Sequence, residues 1–449
     1  MKRAKKMSII AAIQWSGVGL ASAILAAIVV TWSPPSRAAE NWPTWRGPRG
    51  DGVTTERELP LQWGPGSPNV RWRVELPEPS NSTPIVWGDK IFVTQPLVDE
   101  HKRTLMCLDR NSGEAKWQKS VVYDQEEPTH RTNPYCSPSP VTDGERVVVW
   151  YGSAGLYCYD LDGNELWHRD LGKVSHYWGT GSSPVLHGDL CFLNFGPGDP
   201  SFLLAVNKHN GQDVWRHDLP HFRTKEGPTG LGDDGNQSAA HLYGSWSTPV
   251  ILPSAEGPLL LMSHAERLVA YRPQTGEEVW SAEGLADLVY MSPMWDDDIT
   301  MVLGGYNGSG IAVRRGGKGN VTESHLAWRR PRTKGNLGTG VVHDGLAFVS
   351  DMSGIVECFN LATQEKVWEK RLAGAANNDV WSSLLLSGDR IYMLNKSGDT
   401  FVFKAGPKFE LLATNSLDEE TNSSIVPHEG ELLIRTHEAL WCIEKESGK

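Results

Sequence analysis

After its first 40 residues the chain shows no long helical periodicity, no Gly-x-Ser-x-Gly elbow, no His-Glu-x-x-His and no metal-ligand spacing among its 14 histidines. The first absence argues against a helical bundle; the others remove the local signatures of a serine hydrolase and a zinc peptidase. Cysteine is scarce, with six in 449 residues. Cys107, Cys158, Cys358 and Cys442 stand in "LMCLD", "LYCYD", "VECFN" and "LWCIE", one position of a repeated phrase. Equivalent positions on separate repeats lie too far apart to bond, so these four read as small core residues. Cys136 and Cys191 fall outside that register, and nothing in the sequence pairs them.

Positive charge is short as well. The net charge is -11, and Lys2, Arg3, Lys5, Lys6 and Arg37 supply +5 within the first 39 residues, so the remainder carries -16. Such a body repels phosphate backbones, which excludes nucleic acid as a partner. Arg329, Arg330 and Arg332 read as a solvated strand end. A long apolar run occurs only at the start, where "MKRAKKM" leads into a charge-free stretch from Met7 to Trp32 and then "SPPSRAAENWP". Basic residues, an apolar core and small residues at Ser36 and Ala38 make an export signal with cleavage near Ala38 or Ala39. Left uncleaved, residues 7–32 would serve as a membrane anchor. Either form places the body outside the cytoplasm, in the periplasm or another extracytoplasmic space.

What the chain has in abundance is repetition. "DRNSGEAKWQK" from Asp109 returns as "DLDGNELWHRD", "NKHNGQDVWRHD", "RPQTGEEVWSAE" and "NLATQEKVWEKR". The unit spans roughly 45 residues, a propeller-like period. Eight openings precede short apolar strands: "STPIV" (82–86), "SPSPV" (137–141), "SSPVL" (182–186), "STPVI" (247–251), "MSPMW" (291–295), "LGTGVV" (337–342), "SSLLL" (382–386) and "NSSIV" (422–426). Gly stands four residues before Trp in the pairs Gly113 and Trp117, Gly163 and Trp167, Gly211 and Trp215, and Gly276 and Trp280. Glycine supplies the positive φ of a tight hairpin, and the indole fills the gap between stacked units. Trp328 and Trp368 occupy the same docking position. Gln364 replaces the glycine before Trp368, and Phe409 or Leu411 replaces Trp in the seventh unit, so different turns are expected there.

The eighth unit ends at "LWCIEKESGK" without its tryptophan strand. "RWRVEL" (71–76) matches "LWHRDL", "VWRHDL" and "VWEKRL", so Trp72 supplies the missing copy. A strand from the start that completes the last sheet removes the open edges. The expected fold is therefore all-β: an eight-bladed β-propeller of four-stranded blades, its last blade closed by an N-terminal strand. Residues 1–39 form the signal or anchor, 40–69 an extended leader and 70–449 the propeller.

These turns resemble the tryptophan-docking motifs of pyrroloquinoline-quinone-type, quinoprotein-like propellers over residues 70–449. The segment "NWPTWRGPRGDGVT" (41–54) is similar to the leader of exported bacterial members of that superfamily. The resemblance implies one of two functions: a cofactor-free envelope scaffold similar to BamB of outer-membrane-protein assembly, or a quinoprotein dehydrogenase of alcohols or sugars. A dehydrogenase would hold pyrroloquinoline quinone beside calcium in the central funnel, with an aspartate base and a disulfide between adjacent cysteines. This chain has no Cys-Cys pair, and Asp296 to Asp298 read as a turn between strands, without the spacing of a calcium loop. The leading expectation is a non-enzymatic scaffold with no cofactor, no metal and no catalytic residue. No cysteine follows the signal to carry a lipid.

Segments ahead of the first strands should emerge together around one mouth of the channel. They carry His130, Arg131, Asn133, Tyr135, His176, Tyr177, Trp178, His241, Tyr243, Trp246, Tyr290, Asn377, Asn378 and Trp381. Such side chains stack on or hydrogen-bond a partner at small entropic cost. The expected occupant is another envelope protein or a small ligand at the channel mouth. Taken singly, each aromatic could equally wedge a blade edge, and each asparagine cap a turn.

Overall fold

The computed structural model describes residues 40–219, 243–306, 308–374 and 378–445. The expected export segment, 1–39, lies outside them. Seven four-stranded antiparallel blades span 85–122, 141–169, 185–218, 250–283, 294–330, 341–371 and 385–416; the eighth combines 426–443 with Val70–Glu75. That N-terminal strand runs antiparallel to Ala439–Ile443 with Trp72 opposite Cys442, so the ring closes where the sequence pattern placed the closure. Burial follows position in the blade. The second strand of blade 2, Arg146–Trp150, is buried throughout, whereas the outermost strand of blade 1, Ala115–Val122, alternates between exposed and half-buried residues. An inner strand meets neighbouring blades on both faces, while an outer strand turns one face to water.

Tryptophan docking crosses from blade to blade. The ring of Trp72 lies over Gly113 of blade 1, Trp117 over Gly163, Trp167 over Gly211 and Trp215 over Gly276, each so close that a Cβ on the glycine would clash. The indole N–H donors of these four reach the carbonyls of Arg110, Leu161, Lys208 and Pro273 in the same turns at 2.8–3.1 Å. Trp328 and Trp368 likewise donate to Leu361 and Gly406. The glycine thus receives the tryptophan of the preceding blade, while its own hairpin holds φ near +70 to +85°.

Two expectations about the irregular copies need correction. Gln364 adopts φ +66°, and its N–H donates to the Asn360 carbonyl as the Gly113 N–H does to that of Asp109, so the turn is unchanged and only its residue is unusual. In blade 7 the residue opposite the third strand at the tryptophan position is Ala413, paired with Val402; neither Phe409 nor Leu411 holds it. Phe409 instead packs 5.2 Å from the Trp368 ring. Leu412 and Ala413 pack against a core cluster that contains Trp63 of the leader. Arg330 is half-buried over Phe359 and pairs with both oxygens of Glu357, so it is not a simple solvated strand end. All six cysteines are buried and unbonded to one another. The turn at 296–298 is local, with the Asp296 carboxylate capping the N–H groups of Asp298 and Ile299.

A second, smaller ring lies where the chain enters the innermost strands. Thr83 N–H donates to Ser139 Oγ, Ser139 to Ser183, Ser183 to Thr248, Ser292 to Thr339, Thr339 to Ser383, Ser383 to Ser424 and Ser424 back to Thr83, all at 2.9–3.1 Å. Between blades 4 and 5 the direction changes, and the Ser292 hydroxyl donates to the Thr248 carbonyl at 2.7 Å. All eight residues are buried. Their amides lie before the blade ladder begins, and in seven of the eight the hydroxyl of the next blade satisfies the N–H; at Thr248 it serves the carbonyl instead. Proline follows in five of the eight copies and has no N–H that would need a partner.

The leader enters this ring. Trp42 bridges Val86 of blade 1, Pro43 accepts from Thr142 of blade 2, Gly50 lies against Val250 of blade 4, and Val53–Thr54 adds a short parallel strand to Leu385–Ser387 of blade 7. Arg46 is buried, donating to the carbonyls of Gly50, Asp51, Thr339 and Gly340. Burial pushes its guanidinium down to about 10. The leader then leaves over the turn of blade 8, where the Glu56 carboxylate accepts from the N–H groups of Glu429 and Gly430. It therefore occupies the channel on the side of the hairpins between first and second strands. The connections between blades emerge at the other end.

Two substitutions test these contacts. Gln364→Gly relieves a left-handed backbone and should raise stability by about 0.5–1 kcal/mol in chemical denaturation. Thr339→Val keeps the shape but strands the Ser292 N–H, and should lower stability by about 1–3 kcal/mol.

Candidate functional site

The segments joining successive blades form the connection end of the ring, and four of them converge there. Trp178 and His176 come from the segment before blade 3, Trp246 from that before blade 4 and Tyr290 from that before blade 5. Trp246 stacks on Tyr290 with centroids 4.6 Å apart and planes 2° from parallel. His176 meets Trp246 edge to face at 4.8 Å, and Trp178 lies 5.9 Å from Trp246. Gly244–Ser245 and Leu288–Val289, just ahead of Trp246 and Tyr290, pair as short parallel strands and set those rings side by side. Tyr290 also lies on Gly305, where any Cβ would strike its ring. The Trp246 indole donates to the Gly179 carbonyl at 2.9 Å.

The segment before blade 2 borders this cluster. Asn133 Nδ2 donates to the carbonyls of Trp178 and Thr180 at 2.7 and 2.8 Å. Asn81 and Asn422 both donate to the Thr132 carbonyl, so residues 132–133 tie together the starts of blades 8, 1 and 3. His130 sits 2.7 Å from Thr132 Oγ1 and 5.9 Å from the ring of Tyr177, which is 51% exposed. Arg131 is exposed beside it. Tyr135 is structural: its hydroxyl donates to the Glu127 carbonyl, and the Arg103 guanidinium lies 3.7 Å from its ring centre. Glu127 receives the Ser153 N–H and is pushed upward by burial.

The remaining expected residues divide. Tyr243 is half-buried, its phenol pushed up by burial and by the carboxylates of Glu266 and Asp287. Asn378 caps its own loop, accepting the Gly374 N–H at 2.7 Å. Trp381 is half-buried with an indole N–H that finds no acceptor. His241 and Asn377 lie outside the described residues. The structure thus brings together His130, Asn133, His176, Tyr177, Trp178, Trp246 and Tyr290, and gives Tyr135 and Asn378 local roles. Sequence reasoning missed Asn81 and Asn422, although both stand two residues before a first-strand opening residue, at Thr83 and Ser424; their shared partner, Thr132, lies in the segment before blade 2. Among the described residues no three His, Cys, Asp or Glu side chains are close enough to hold a metal ion.

The architecture defines the class first: a closed eight-bladed propeller of pyrroloquinoline-quinone-type repeats. Within it, the chain belongs to the family described as outer membrane protein assembly factor BamB, whose model matches residues 65–233 and 199–449. Among solved structures, BamB from Moraxella catarrhalis is similar over 85% of this chain and 98% of its own, with a TM-score of 0.58 and 15% identity. A europium-containing methanol dehydrogenase is similar over 88% of this chain and 89% of its own, with a TM-score of 0.64 and 11% identity. The quinohemoprotein alcohol dehydrogenase of Comamonas testosteroni is similar over 91% and 82%, with a TM-score of 0.63 and 12% identity. At these identities the likeness is one of fold. No curated protein matches the sequence.

His176 gives the site a pH signature. Its Nδ1 accepts the Trp178 N–H at 3.1 Å, and burial lowers the imidazole from 6.5 to about 4. The unfolded chain takes up a proton near pH 6.5 and the folded chain does not, so this contribution is complete above 6.5 and is lost as pH falls toward 4. His176→Asn keeps an acceptor without titrating. Between pH 7 and 5 it should lose about 2 kcal/mol less stability than the parent, as read by denaturant melts at each pH.

Proposed function

We propose that the protein is an exported, non-enzymatic scaffold that binds a protein partner through its connection end. The observation that carries this reading is the aromatic cluster at the connection end: Tyr177 exposed beside His130 and half-buried Trp178, backed by buried Trp246 and half-buried Tyr290, which follow a pair of short strands. Rigid aromatic side chains on a closed ring contribute contact area with little entropy left to lose, as anchor residues of interfaces do. Family membership supports the same reading, as does the leader, which occupies the opposite end of the channel. The partner would be another component of the cell envelope, and residues 7–32 would provide export or anchoring.

A second reading, a quinone-dependent dehydrogenase, draws on the fold shared with the methanol and alcohol dehydrogenases. Pyrroloquinoline quinone with calcium asks for a planar slot, cations for its carboxylates and a cage of oxygen ligands. At this mouth the rings of Trp246 and Tyr290 already stack on each other, and the Thr132 peptide is tied to Asn81 and Asn422. The residues present at this mouth do not fit that pair.

Site-specific photo-crosslinking in envelope preparations separates the readings. A crosslinker at Tyr177 should capture a discrete partner, whereas one at Asp89, on the hairpin end, should not; Trp178→Ala should reduce the Tyr177 product at least about fivefold. Stoichiometric quinone binding with calcium, accompanied by dye reduction with alcohols or sugars, would replace the scaffold reading with the second.

A further inference from the structure

On blade 8 at the connection end, between the segment that enters it from blade 7 and the segment that leaves it for blade 1, lies an open cavity of about 490 Å³. Leu76, Pro77 and Pro79 form its apolar wall, just past the closing strand. Its charged groups are unevenly matched. Arg73 is committed to Glu419, with its Nε and Nη2 2.9 and 2.8 Å from Oε1, and it lies 5.3 Å from the centre of the Trp441 ring. Glu419 is itself held by the Trp441 indole at 2.9 Å and by the Thr436 hydroxyl. Glu75 and Glu438 reach the same guanidinium only at 3.7 Å, and their side chains are 88% and 66% exposed. Glu420 lines the cavity as a fourth carboxylate.

His437 is also in the wall. Burial and then the positive charges of Arg435 and Lys396 hold it below its ordinary value, against the pull of Glu420. Arg435 is buried and bonded to Ser82, Thr94 and Gln95. The lining therefore carries Glu75, Glu420 and Glu438 against one guanidinium already paired with Glu419, with the Lys396 charge felt at His437, beside an apolar wall suited to an aliphatic stem. Among the described residues no three acidic, histidine or cysteine groups are close enough to hold a metal ion.

We propose that this cavity docks a lysine- or arginine-bearing peptide segment of a partner protein. The cationic head would lie between Glu75, Glu420 and Glu438, and the stem on Leu76 and the two prolines. The inference does not rest on the aromatic surface, since it uses different residues and a different chemistry.

Fluorescence anisotropy of the full chain with a labelled hexa-arginine peptide tests it, at near-physiological ionic strength where screening acts within about 8 Å. Glu75→Gln/Glu420→Gln/Glu438→Gln should weaken binding about tenfold or more, and Glu75→Gln/Glu438→Gln, which touches only surface groups, about threefold. Glu114→Gln/Glu323→Gln/Glu365→Gln makes the same change in net charge elsewhere and should cost less than about twofold. Equal losses for the two triple variants, or no measurable binding by the parent, would overturn the proposal. Equal melting temperatures of the variants show that each result reports on binding.

Discussion

A cyclic chain of hydrogen bonds through eight serine and threonine hydroxyls is the constraint on which the architecture depends. Each blade can satisfy its own strands by the antiparallel ladder, but the peptide entering its first strand has no ladder partner and is buried. In seven blades the neighbour's hydroxyl serves that N–H, and between blades 4 and 5 it serves the Thr248 carbonyl, so each blade is tied in register to the next. Because the last donor, Ser424, returns to Thr83, the set is complete only when the ring is closed. The tryptophans repeat the same dependence at the outer edge, with each ring lying on the turn of the following blade.

Those two belts leave the connections free to vary. The segment before blade 2 carries Asn133 onto blade 3, and two short strands hold Trp246 and Tyr290 side by side, without any change to the blades beneath. The leader uses the remaining interior. Arg46, buried among carbonyl oxygens, marks how far it penetrates, and its carbonyl partners on blade 6 adjoin the belt itself. Blade packing and the surface of the connection end thus rest on different residues, in keeping with a fold shared with methanol and alcohol dehydrogenases at 11–12% identity.

Much of the fold was legible because it is periodic. Eight openings, a recurring Trp and a displaced "RWRVEL" fixed blade number and closure before any coordinates. The hydroxyl belt was visible too, as Thr83, Ser139, Ser183 and their equivalents ahead of each strand, but their role depends on contacts between blades that no single repeat contains. Local identity also misled where tertiary packing overrode it: Gln364 keeps a turn that glycine would hold more easily, and Ala413 takes a tryptophan position against a core cluster that includes Trp63 of the leader. For the candidate site, the aromatic residues were found by type and placement. What joins them was not, since Asn81 and Asn422 lie about 50 and 290 residues from the Thr132 carbonyl they share.

Closure by Val70–Glu75 has a consequence for biosynthesis. The strand is made first, yet the sheet that receives it, 426–443, is made last, and nearly the whole chain must exist before the two meet. Such a long loop delays the final folding step until blade 8 has been made. A chain truncated before blade 8 would keep an unsealed seam open to proteolysis and aggregation, so ring closure acts as a proofreading step for full length.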